Sequence, residues 1–582
     1  MAQERTIPTN SDGSVVTTTL RVDGQEVAPE VGVLRLVVTK ELNKVSFAQI
    51  ELQDGGADIE DFPLSNQDSF LPGKEVEVFA GHNAEEDLIF KGIIVKHGLR
   101  IRQNGKSTLH LECKDAAYRM SLTKQNRYFE EITDSAAIEE ILGTYSIESN
   151  LAETELTHPT LIQYYSYDWD FVLKRAEANG LFCWVDDGVF QMIAPDFDQE
   201  SVLDLHYGAT ILAFDAEIDA RHQYGTVKSR SWDPDNQELL EVEAATSEVV
   251  EAGNLSATSI SEAAGTAEYI LQHTGSLTED DLQLWADAKL QKSRLAKIRG
   301  RVKFSGFAGV KPANLITLGG VGERFNGNVF VSGVRHYLAN GEWETDLQFG
   351  VSPEWYREEE NLHAPTNAGL APGIHGLHIG TVSQVHDDPA GAFRILVNLP
   401  MVDAESEGAW CRVASIDAGE NRGFYFRPEV GDEVVVGFLN NRPEEGVVLG
   451  GLHSSAKPAP VEPAEENAEK GFVSQSELKL LFNEETKSIE LSTPEGNTLL
   501  ISEDEGGISL TDQNDNKLVL NADGITLESA ADLILKASGD VKIEGTNISP
   551  KASANFKAEG SAGAEISSSA TLTLKGSLVQ IN

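Results

Sequence analysis

The C-terminal part of the chain repeats short apolar pairs at a fixed distance. In GITLESAADLILKASGDVKIEG, residues 524–545, two apolar residues separated by one other recur every eight residues. An α-helix repeats about every 3.6 residues and a coiled coil about every 3.5, so neither structure explains this period. The pairs in this stretch are Ile525 and Leu527, Leu533 and Leu535, and Val541 and Ile543. The period therefore predicts one very short β-strand in every eight residues.

A similar spacing extends over most of the tail, residues 472–582. Gly, Ser, Asn and Asp lie between the candidate strands, and this tail contains no Trp or Tyr, so one chain has few large side chains with which to close a core. Three extended residues span about 10 Å, the side of a narrow triangular prism. The candidate strands start at Leu499, Ile508, Leu518, Ile525, Leu533, Val541, Ile548, Phe556, Ala564, Leu572 and Val579.

Three arrangements of such strands are open to the chain. A three-sided solenoid of one chain would leave open sheet edges at both ends, and a disordered tail would not keep paired apolar residues in register. We expect the third, an intertwined prism of three chains, in which each strand pairs with strands of other chains and the apolar pairs point to the axis. The predicted needle core comprises Ile525, Leu527, Leu533, Leu535, Val541, Ile543, Leu572 and Leu574.

The N-terminal part alternates apolar and polar residues as strands do, with helical stretches between them. One helix is predicted in DWDFVLKRAEANG, with Asp168 or Asp170 as its cap. Pro72 and Pro312 open two similar segments, and each is followed eighteen residues later by a Phe. This similarity predicts two related β-barrels built by duplication, with chance as the alternative.

Composition divides the chain into five parts. Two Pro-rich, charged stretches are predicted to be linkers, and they separate three regions rich in predicted strands. The second linker is not expected to pack against a folded domain. The predicted parts are a hub region at 1–356, a linker at 357–373, a compact β domain at 374–453, a linker at 454–471 and the needle at 472–582.

Charge and cysteine content exclude some classes of partner and site. The chain carries 46 Lys and Arg against 93 Asp and Glu, a net charge of −47, which argues against nucleic acid as a partner. Three dispersed cysteines give no disulfide framework and indicate a protein that folds in a reducing cytosol. The N-terminus has no apolar segment typical of a signal peptide, and no run approaches the length of a membrane span.

The motifs that suggest chemistry are incomplete. His375 and His378 have the spacing of metal ligands, but no third ligand is in view. The run Gly105–Thr108 resembles the end of a phosphate-binding loop, yet Arg100 stands where the first glycine belongs. Since no nucleophile and base can be named together, we expect no enzyme activity, no cofactor and no metal.

Residues 374–451 resemble the OB-fold of VgrG-type spike proteins and contractile phage hubs. The segment 164–188, with its Asp-Trp-Asp-Phe and Glu-x-x-Gly-Leu, resembles the hub motif of the same family, and LTLKGSLVQIN resembles the ends of its needles. The OB-fold motif residues are Gly380, Asp388, Pro389, Trp410, Pro428, Gly431 and Asp432.

The resemblance implies a mainly β homotrimer: two hub β-barrels with helical insertions, an OB-fold and an intertwined trimeric β-prism needle. It implies a central spike of a contractile injection machine, with inner tube and baseplate proteins at the hub and effector cargo. A PAAR-type tip protein is expected at Val579, Ile581 and Asn582. Such particles assemble in the bacterial cytoplasm and leave the cell without a signal peptide.

This sequence departs from some family members. The linker at 454–471 has no room for the lysozyme domain of some phage hubs, and no histidine follows His453, so the iron-binding His-x-His of some needle tips is absent. The alternative function is a phage tail-type spike or a surface-binding adhesin. An adhesin would be expected to expose aromatic residues on the needle, where only Phe472, Phe482 and Phe556 occur.

Overall fold

The computed structural model describes residues 15–103, 107–245, 249, 251–359, 366–370 and 372–581. The chain divides into two compact units, Met1–Pro372 and Gly373–Asn582. Within the described ranges, no helix combines the length and the apolar content that crossing a bilayer requires.

Among the first seven strands, the fourth, fifth and seventh alternate more and less buried side chains along most of their length. In the fourth, Ala48, Ile50 and Leu52 are buried while Gln49 and Gln53 are exposed, as expected for a strand with one face on a core. The strands are β1 (Val16–Val22), β2 (Gln25–Glu26), β3 (Val33–Glu41), β4 (Phe47–Gln53), β5 (Glu75–His82), β6 (Glu85–Arg100) and β7 (Thr108–Lys114).

A mixed insertion follows β7. The Thr133 hydroxyl caps its first helix by accepting a hydrogen bond from the Ala136 N–H at 3.3 Å. Its elements are β8 (Lys124–Thr133), α1 (Asp134–Thr144), β9 (Glu148–Leu151), β10 (Thr157–Tyr167), α2 (Asp168–Ala178), β11 (Phe182–Asp186) and β12 (Val189–Ile193).

The second half of the hub region contains the longest helix. Thr278 and Asp281 form a reciprocal capping box at its start, and three acidic residues occupy its first turn. The elements are β13 (Leu203–His206), β14 (Ile211–Ile218), β15 (Thr226–Asp233), β16 (Glu238–Glu243), α3 (Ala257–Ala264), β17 (Glu268–His273), α4 (Glu279–Leu295), β18 (Ile298–Ser305), β19 (Leu315–Gly319), β20 (Gly327–Ala339), β21 (Glu342–Phe349) and α5 (Tyr356–Glu359).

One thirteen-stranded sheet joins the two halves of the hub region. Its main path runs β14-β18-β21-β20-β3-β4-β7-β6-β5-β1-β2, and β19 and β13 are attached beside β20. Antiparallel pairing of β20 with β3 makes the junction. Leu338 and Trp343 of the second half pack into the apolar cluster of the first, so the two halves share their core at the junction.

Two turns of this sheet have the same geometry. In Leu71–Lys74 and in Lys311–Asn314 the last N–H donates to the first carbonyl at 3.3 Å. The third residue has a positive φ in both, 101° at Gly73 and 67° at Ala313. The first turn directly precedes the β5–β6 hairpin, and the second directly precedes the β19–β20 hairpin.

The two Phe residues that follow these turns are not equivalent, although each lies eighteen residues after its Pro. Phe90 pairs with Val78 across β5–β6, whereas Phe330 pairs with Leu315 across β19–β20. The hairpins differ because two residues connect β5 to β6, while seven connect β19 to β20. The equal spacing from Pro to Phe therefore does not place the two Phe residues at equivalent positions, because the loops between the paired strands differ in length.

The second unit begins with a closed barrel, in the order β22-β23-β24-β28-β27. Val382, Ile395, Val397, Val434 and Val436 fill its interior. The elements are β22 (His378–Gln384), β23 (Ile395–Asn398), β24 (Ala409–Val413), β25 (Ala418–Gly419), β26 (Arg422–Gly423), β27 (Glu433–Phe438) and β28 (Gly446–Gly451). Short 3-10 turns lie at Asp68–Phe70, Ala116–Ser121, Thr366–Gly369 and Leu439–Asn441.

The tail has two structurally different regions. Residues 469–528 form a seven-stranded antiparallel meander within the chain, whereas 529–581, all of them described, contain no strand and are called the unpaired region. The prediction that every needle strand pairs with other chains is therefore wrong for the meander. Its strands are β29 (Glu469–Val473), β30 (Lys479–Asn483), β31 (Ser488–Ser492), β32 (Thr498–Ser502), β33 (Gly507–Thr511), β34 (Lys517–Asn521) and β35 (Gly524–Glu528).

Candidate functional site

The meander is built from a nineteen-residue repeat. Strands β29, β31 and β33 begin nineteen residues apart, and so do β30, β32 and β34. The turns repeat with them, because Glu477, Gly496 and Asp515 all have positive φ values, of 60°, 93° and 65°. A residue in this conformation lets a short turn reverse the chain. One repeat is thus a hairpin and the turn to the next hairpin, a signal that the eight-residue interpretation missed.

Asparagine side chains connect successive turns on one edge of the meander. The Asn497 side-chain carbonyl accepts from the Gln513 N–H at 3.2 Å. Asn516, nineteen residues later, accepts from the Ala530 N–H at 3.0 Å and from the Ser529 hydroxyl at 2.9 Å. Gln513 and Ala530 are each the second residue after a strand, so the two contacts are equivalent. The second contact attaches the first residues of the unpaired region to the meander.

One face of the meander is apolar along its whole length. Residues opposite each other on paired strands, and residues two apart on one strand, lie on the same face. The pairing registers place thirteen apolar side chains in two columns, which we call the apolar face. Its members are Phe472, Leu480, Phe482, Ile489, Leu491, Leu499, Ile501, Ile508, Leu510, Leu518, Leu520, Ile525 and Leu527.

The apolar face is uncovered in the single chain. Ten of its thirteen side chains remain 37–74% exposed. The central row of the opposite face alternates apolar with polar residues, such as Leu500 followed by Ser509. Because soluble proteins rarely expose a contiguous apolar patch of this size, such a patch marks a surface for another molecule.

The predicted core pairs of residues 529–581 continue the same pattern. Ile525 and Leu527 pair with Leu520 and Leu518, so an apolar pair on one strand contributes one residue to each column. The later pairs are also uncovered, at 53–66% exposure. These are Leu533, Leu535, Val541, Ile543, Leu572 and Leu574.

Asp388 of the OB motif closes a turn rather than forming a reactive site. Its carboxylate accepts from the backbone N–H groups of Ala390, Ala392 and Arg394 at 3.1, 2.8 and 3.2 Å. The Arg394 guanidinium donates to the same carboxylate, at 2.7 Å for the closer nitrogen, and with these N–H groups holds the pKa of Asp388 well below its usual value. Pro389 leads the chain into the turn.

Two glycines of the OB motif are required by close packing and by a turn. A Cβ at Gly380 would lie 2.4 Å from Cγ1 of Val397, so no larger residue fits there. Gly431 has a φ of 87° in the turn where the Asp432 N–H donates to the Glu429 carbonyl at 3.0 Å.

The remaining OB motif residues are Trp410, Pro428 and Asp432. Trp410 is half-buried on β24, and Pro428 precedes the glycine turn. Lys457, in the predicted linker 454–471, donates to the Asp432 carboxylate at 3.0 Å. This exposed ion pair is a local contact between the linker and the barrel, and most of the linker's residues remain exposed.

The residues predicted to contact a tip protein lie at the end of the unpaired region. Val579 is 52% and Ile581 86% exposed. Asn582 lies outside the described residues. The geometry leaves two apolar side chains accessible at this end of the chain.

The histidines with metal-ligand spacing are engaged otherwise. A His378 ring nitrogen lies 3.0 Å from the His375 carbonyl oxygen, and the His378 ring contacts that of Phe438 edge-on. Among the described residues, no group of three or more His, Cys, Asp or Glu side chains is arranged to hold a metal ion.

Asp168 in the hub motif is buried in a polar network instead of capping its helix. The cap position of α2 is Tyr167, which makes no side-chain capping bond. The Asp168 carboxylate accepts two bonds from Arg127, at 2.7 and 3.0 Å, and one from the Tyr145 hydroxyl at 2.7 Å. Burial and this carboxylate raise the pKa of Tyr145 to about 12. The network joins α1, α2 and β8.

Three family models match the chain. The model described as the Alg8 N-terminal domain matches residues 12–340, more than half of the chain. The type VI secretion system/phage-baseplate injector OB domain matches 378–453, where the closed barrel lies. The phage baseplate V C-terminal trimerisation domain matches 488–582, which includes most of the apolar face and all of the unpaired region.

Solved structures with similar chains have low sequence identity. A tail protein from Neisseria meningitidis is 16% identical, with 59% of this chain and 98% of that chain covered and a TM-score of 0.44. The E. coli c3393 protein, a type VI secretion component, is 14% identical over 74% and 99%, with a TM-score of 0.38. A chain of the Francisella PdpA–VgrG complex is 8% identical over 89% and 88%, with a TM-score of 0.37. No curated protein matches.

The family models account for the mainly β fold, the OB barrel and the tail with its uncovered apolar face. They identify a structural component of the spike and hub of an injection machine. The chain belongs to the Alg8 N-terminal domain family, and it contains an OB domain of the type VI secretion system/phage-baseplate injector kind and a phage baseplate V C-terminal trimerisation domain.

Proposed function

We propose that this protein is the homotrimeric central spike of a contractile injection machine, linking baseplate and inner tube to a membrane-piercing tip. The apolar face carries this proposal. Three meanders that turn their apolar faces to a common axis would form a triangular prism with a dry interior. Fully burying one Leu, Ile or Phe side chain is worth about 1.5–3 kcal/mol, and each chain offers thirteen of them on this face.

The unpaired region extends the prism below the meander. In this proposal its segments become strands only by pairing with other chains, so three chains wound around each other supply the missing backbone hydrogen bonds. At about 4.8 Å per strand layer, a shaft of this kind is stiff and narrow. Val579, Ile581 and Asn582 then form the end surface on which a PAAR-type tip protein docks.

The hub region joins the spike to the tube. Two halves with the same turn geometry, in each of three chains, give six similar positions, and these suit a six-fold inner tube. Effector cargo travels with the spike, and the whole particle leaves the cytoplasm in which it is assembled. The role is mechanical rather than catalytic, in keeping with the injector and trimerisation descriptions of its matched domains.

The mass of the purified full-length protein in solution tests the proposal. Light scattering is expected to give three times 63.2 kDa. A variant truncated after Lys470 lacks almost the whole tail and is expected to be mostly monomeric at the same concentration. A monomeric full-length protein would overturn the spike proposal and favour a single-chain adhesin.

A further inference from the structure

The OB domain exposes aromatic side chains next to the first strand of the meander. They follow the short hairpin of β25 and β26. The Phe426 ring centroid lies 4.7 Å from that of Phe472, and the Phe424 centroid lies 6.2 Å from Phe426. In the single chain Phe426 is 59% exposed, Phe472 is 42% exposed and Phe424 is 54% exposed. We call these three residues the aromatic row.

The hairpin that carries the row is held rigidly by its own polar groups. Arg422 donates to both carboxylate oxygens of Asp417, at 2.8 and 3.0 Å. The Ser415 hydroxyl donates to the Phe424 carbonyl at 2.8 Å, and the Phe424 N–H donates to the Asp417 carbonyl at 2.9 Å. The backbone at Phe424 is thus held by hydrogen bonds, which lowers the entropy cost of ordering this segment against a partner.

The row prolongs the apolar face beyond the edge of the meander. Phe472 is the first member of that face and lies on β29, which pairs only with β30 and is therefore the edge strand. Phe426 and Phe424 add two rings beyond that edge. Tyr425, between them in sequence, is 76% exposed, and its ring centroid lies 5.4 Å from the Arg427 guanidinium carbon rather than in the row.

We propose that the aromatic row contacts a second copy of this chain and closes the upper end of the apolar interior. The inference rests on the proposed trimer. Whatever covers the apolar face also covers its continuation, and residues 488–582, which include most of that face, match a trimerisation domain. The OB domain then takes part in trimer contacts directly, so that force applied at the hub reaches the needle through packed aromatic rings.

Photo-crosslinking of the full-length protein tests this contact. p-Benzoylphenylalanine placed at Phe426 is expected to yield covalent products with the mass of two or three chains. The same probe at Tyr425 is the matched control and is expected to yield at most a tenth as much. If neither position gives multimers while light scattering shows a trimer, this inference fails and the spike proposal stands. A monomeric mass in light scattering would overturn both this inference and the spike proposal.

A second measurement separates contact from folding. Phe426→Ala is expected to speed trimer dissociation in denaturant at least tenfold, while Phe426→Leu and Tyr425→Ala stay within about twofold of the parent. Circular dichroism of the undissociated variants confirms that the fold is kept. Equal dissociation rates for Phe426→Ala and Tyr425→Ala, or a crosslink from Phe426 to a different protein in the assembled particle, would overturn the inference.

Discussion

The two regions of the tail carry the same apolar pattern but pair differently. In 469–528 the strands are five residues long and the turns contain residues with positive φ, so the chain reverses and pairs with itself. In 529–581, all of which the structure describes, no residue has a positive φ and no strand forms within the chain. Turn chemistry, rather than apolar spacing, therefore decides whether such strands pair within one chain.

The two regions also differ in charge. Residues 469–528 contain thirteen acidic and four basic residues, whereas 529–581 contain five of each. In an intertwined shaft identical strands of three chains lie close together, and like charges opposite each other destabilise a sheet. The balanced composition of 529–581 suits that arrangement, while a self-paired meander keeps its acidic side chains on its outer surface.

The largest expected effect comes from charges placed inside the unpaired region. Leu533→Asp combined with Leu535→Asp is expected to abolish assembly of 529–581, because six carboxylates would be buried at the axis at several kcal/mol each. Hydrogen exchange by mass spectrometry is expected to lose protection in 529–581 and to keep it in the meander, whose hydrogen bonds lie within the chain.

Ile534→Asp is the matched control, since Ile534 lies between the two substituted residues and is expected to face outward. The control is expected to remain a heat-resistant trimer. A double variant that keeps its trimer and its exchange protection would show that the pairs do not face the axis. Loss of protection in both regions alike would show that the meander also depends on other chains.

Much of this comparison is contained in the sequence. The pairs Ile525 and Leu527, and Leu533 and Leu535, are readable from their spacing alone, because alternation fixes the face of a strand. The nineteen-residue repeat is also present in the sequence, for example in the spacing of Asn497 and Asn516, but it differs from the eight-residue period of residues 524–545.

Contacts between distant residues were not predictable in the same way. Asp168 has the sequence signature of a helix cap, yet its partner Arg127 lies forty-one residues earlier, on β8. Pro72 and Pro312 mark the equivalent turns at Gly73 and Ala313 in the sequence. The register of the hairpins that follow depends on the lengths of their loops, which only the fold shows. Local sequence patterns predict individual helices and strands, whereas the tertiary structure is needed to show which distant residues pair.

A smaller effect is expected where the two regions meet. Asn516→Ala removes the bonds to Ser529 and Ala530, and also the bond that the Asn516 amide donates to Asp512, worth about 0.5–1.5 kcal/mol each. Strands of similar short repeats can slip by one unit, and this contact fixes where the unpaired region starts. We expect Asn516→Ala to give trimers with mixed registers, visible as heterogeneous unfolding in calorimetry.

Asn497→Ala is the control for this contact, because Asn497 makes the equivalent bond to Gln513 inside the meander. It is expected to cost similar stability while leaving a single unfolding transition. Two variants with the same single transition would show that the Asn516 contact adds stability alone and does not set the register.

The turn chemistry itself can be tested with glycines. Gly506→Ala places a Cβ at a φ of 65° and is expected to cost about 1 kcal/mol in thermal unfolding. Gly539, in the unpaired region, has no positive φ, and a methyl group added there would meet no other atom of the same chain within 4 Å, so Gly539→Ala is expected to be neutral if it faces outward. Equal costs at both positions would contradict the role assigned to the turns.

The smallest expected effect is a pH dependence confined to the meander. The Asp512 carboxylate accepts from the Asn516 side chain at 2.8 Å and from the Asn514 and Asn516 N–H groups at 2.9 Å, and these bonds lower its pKa. Because the pKa is lower in the folded turn, the stabilisation is present above the usual carboxyl pKa of about 3.9 and is lost as the pH falls below it. Asp512→Asn is expected to destabilise the protein slightly at pH 7, and the difference in thermal midpoint from the parent is expected to shrink on acidification to about pH 3. A difference that stays constant over this range would show that the charge of Asp512 does not stabilise the turn.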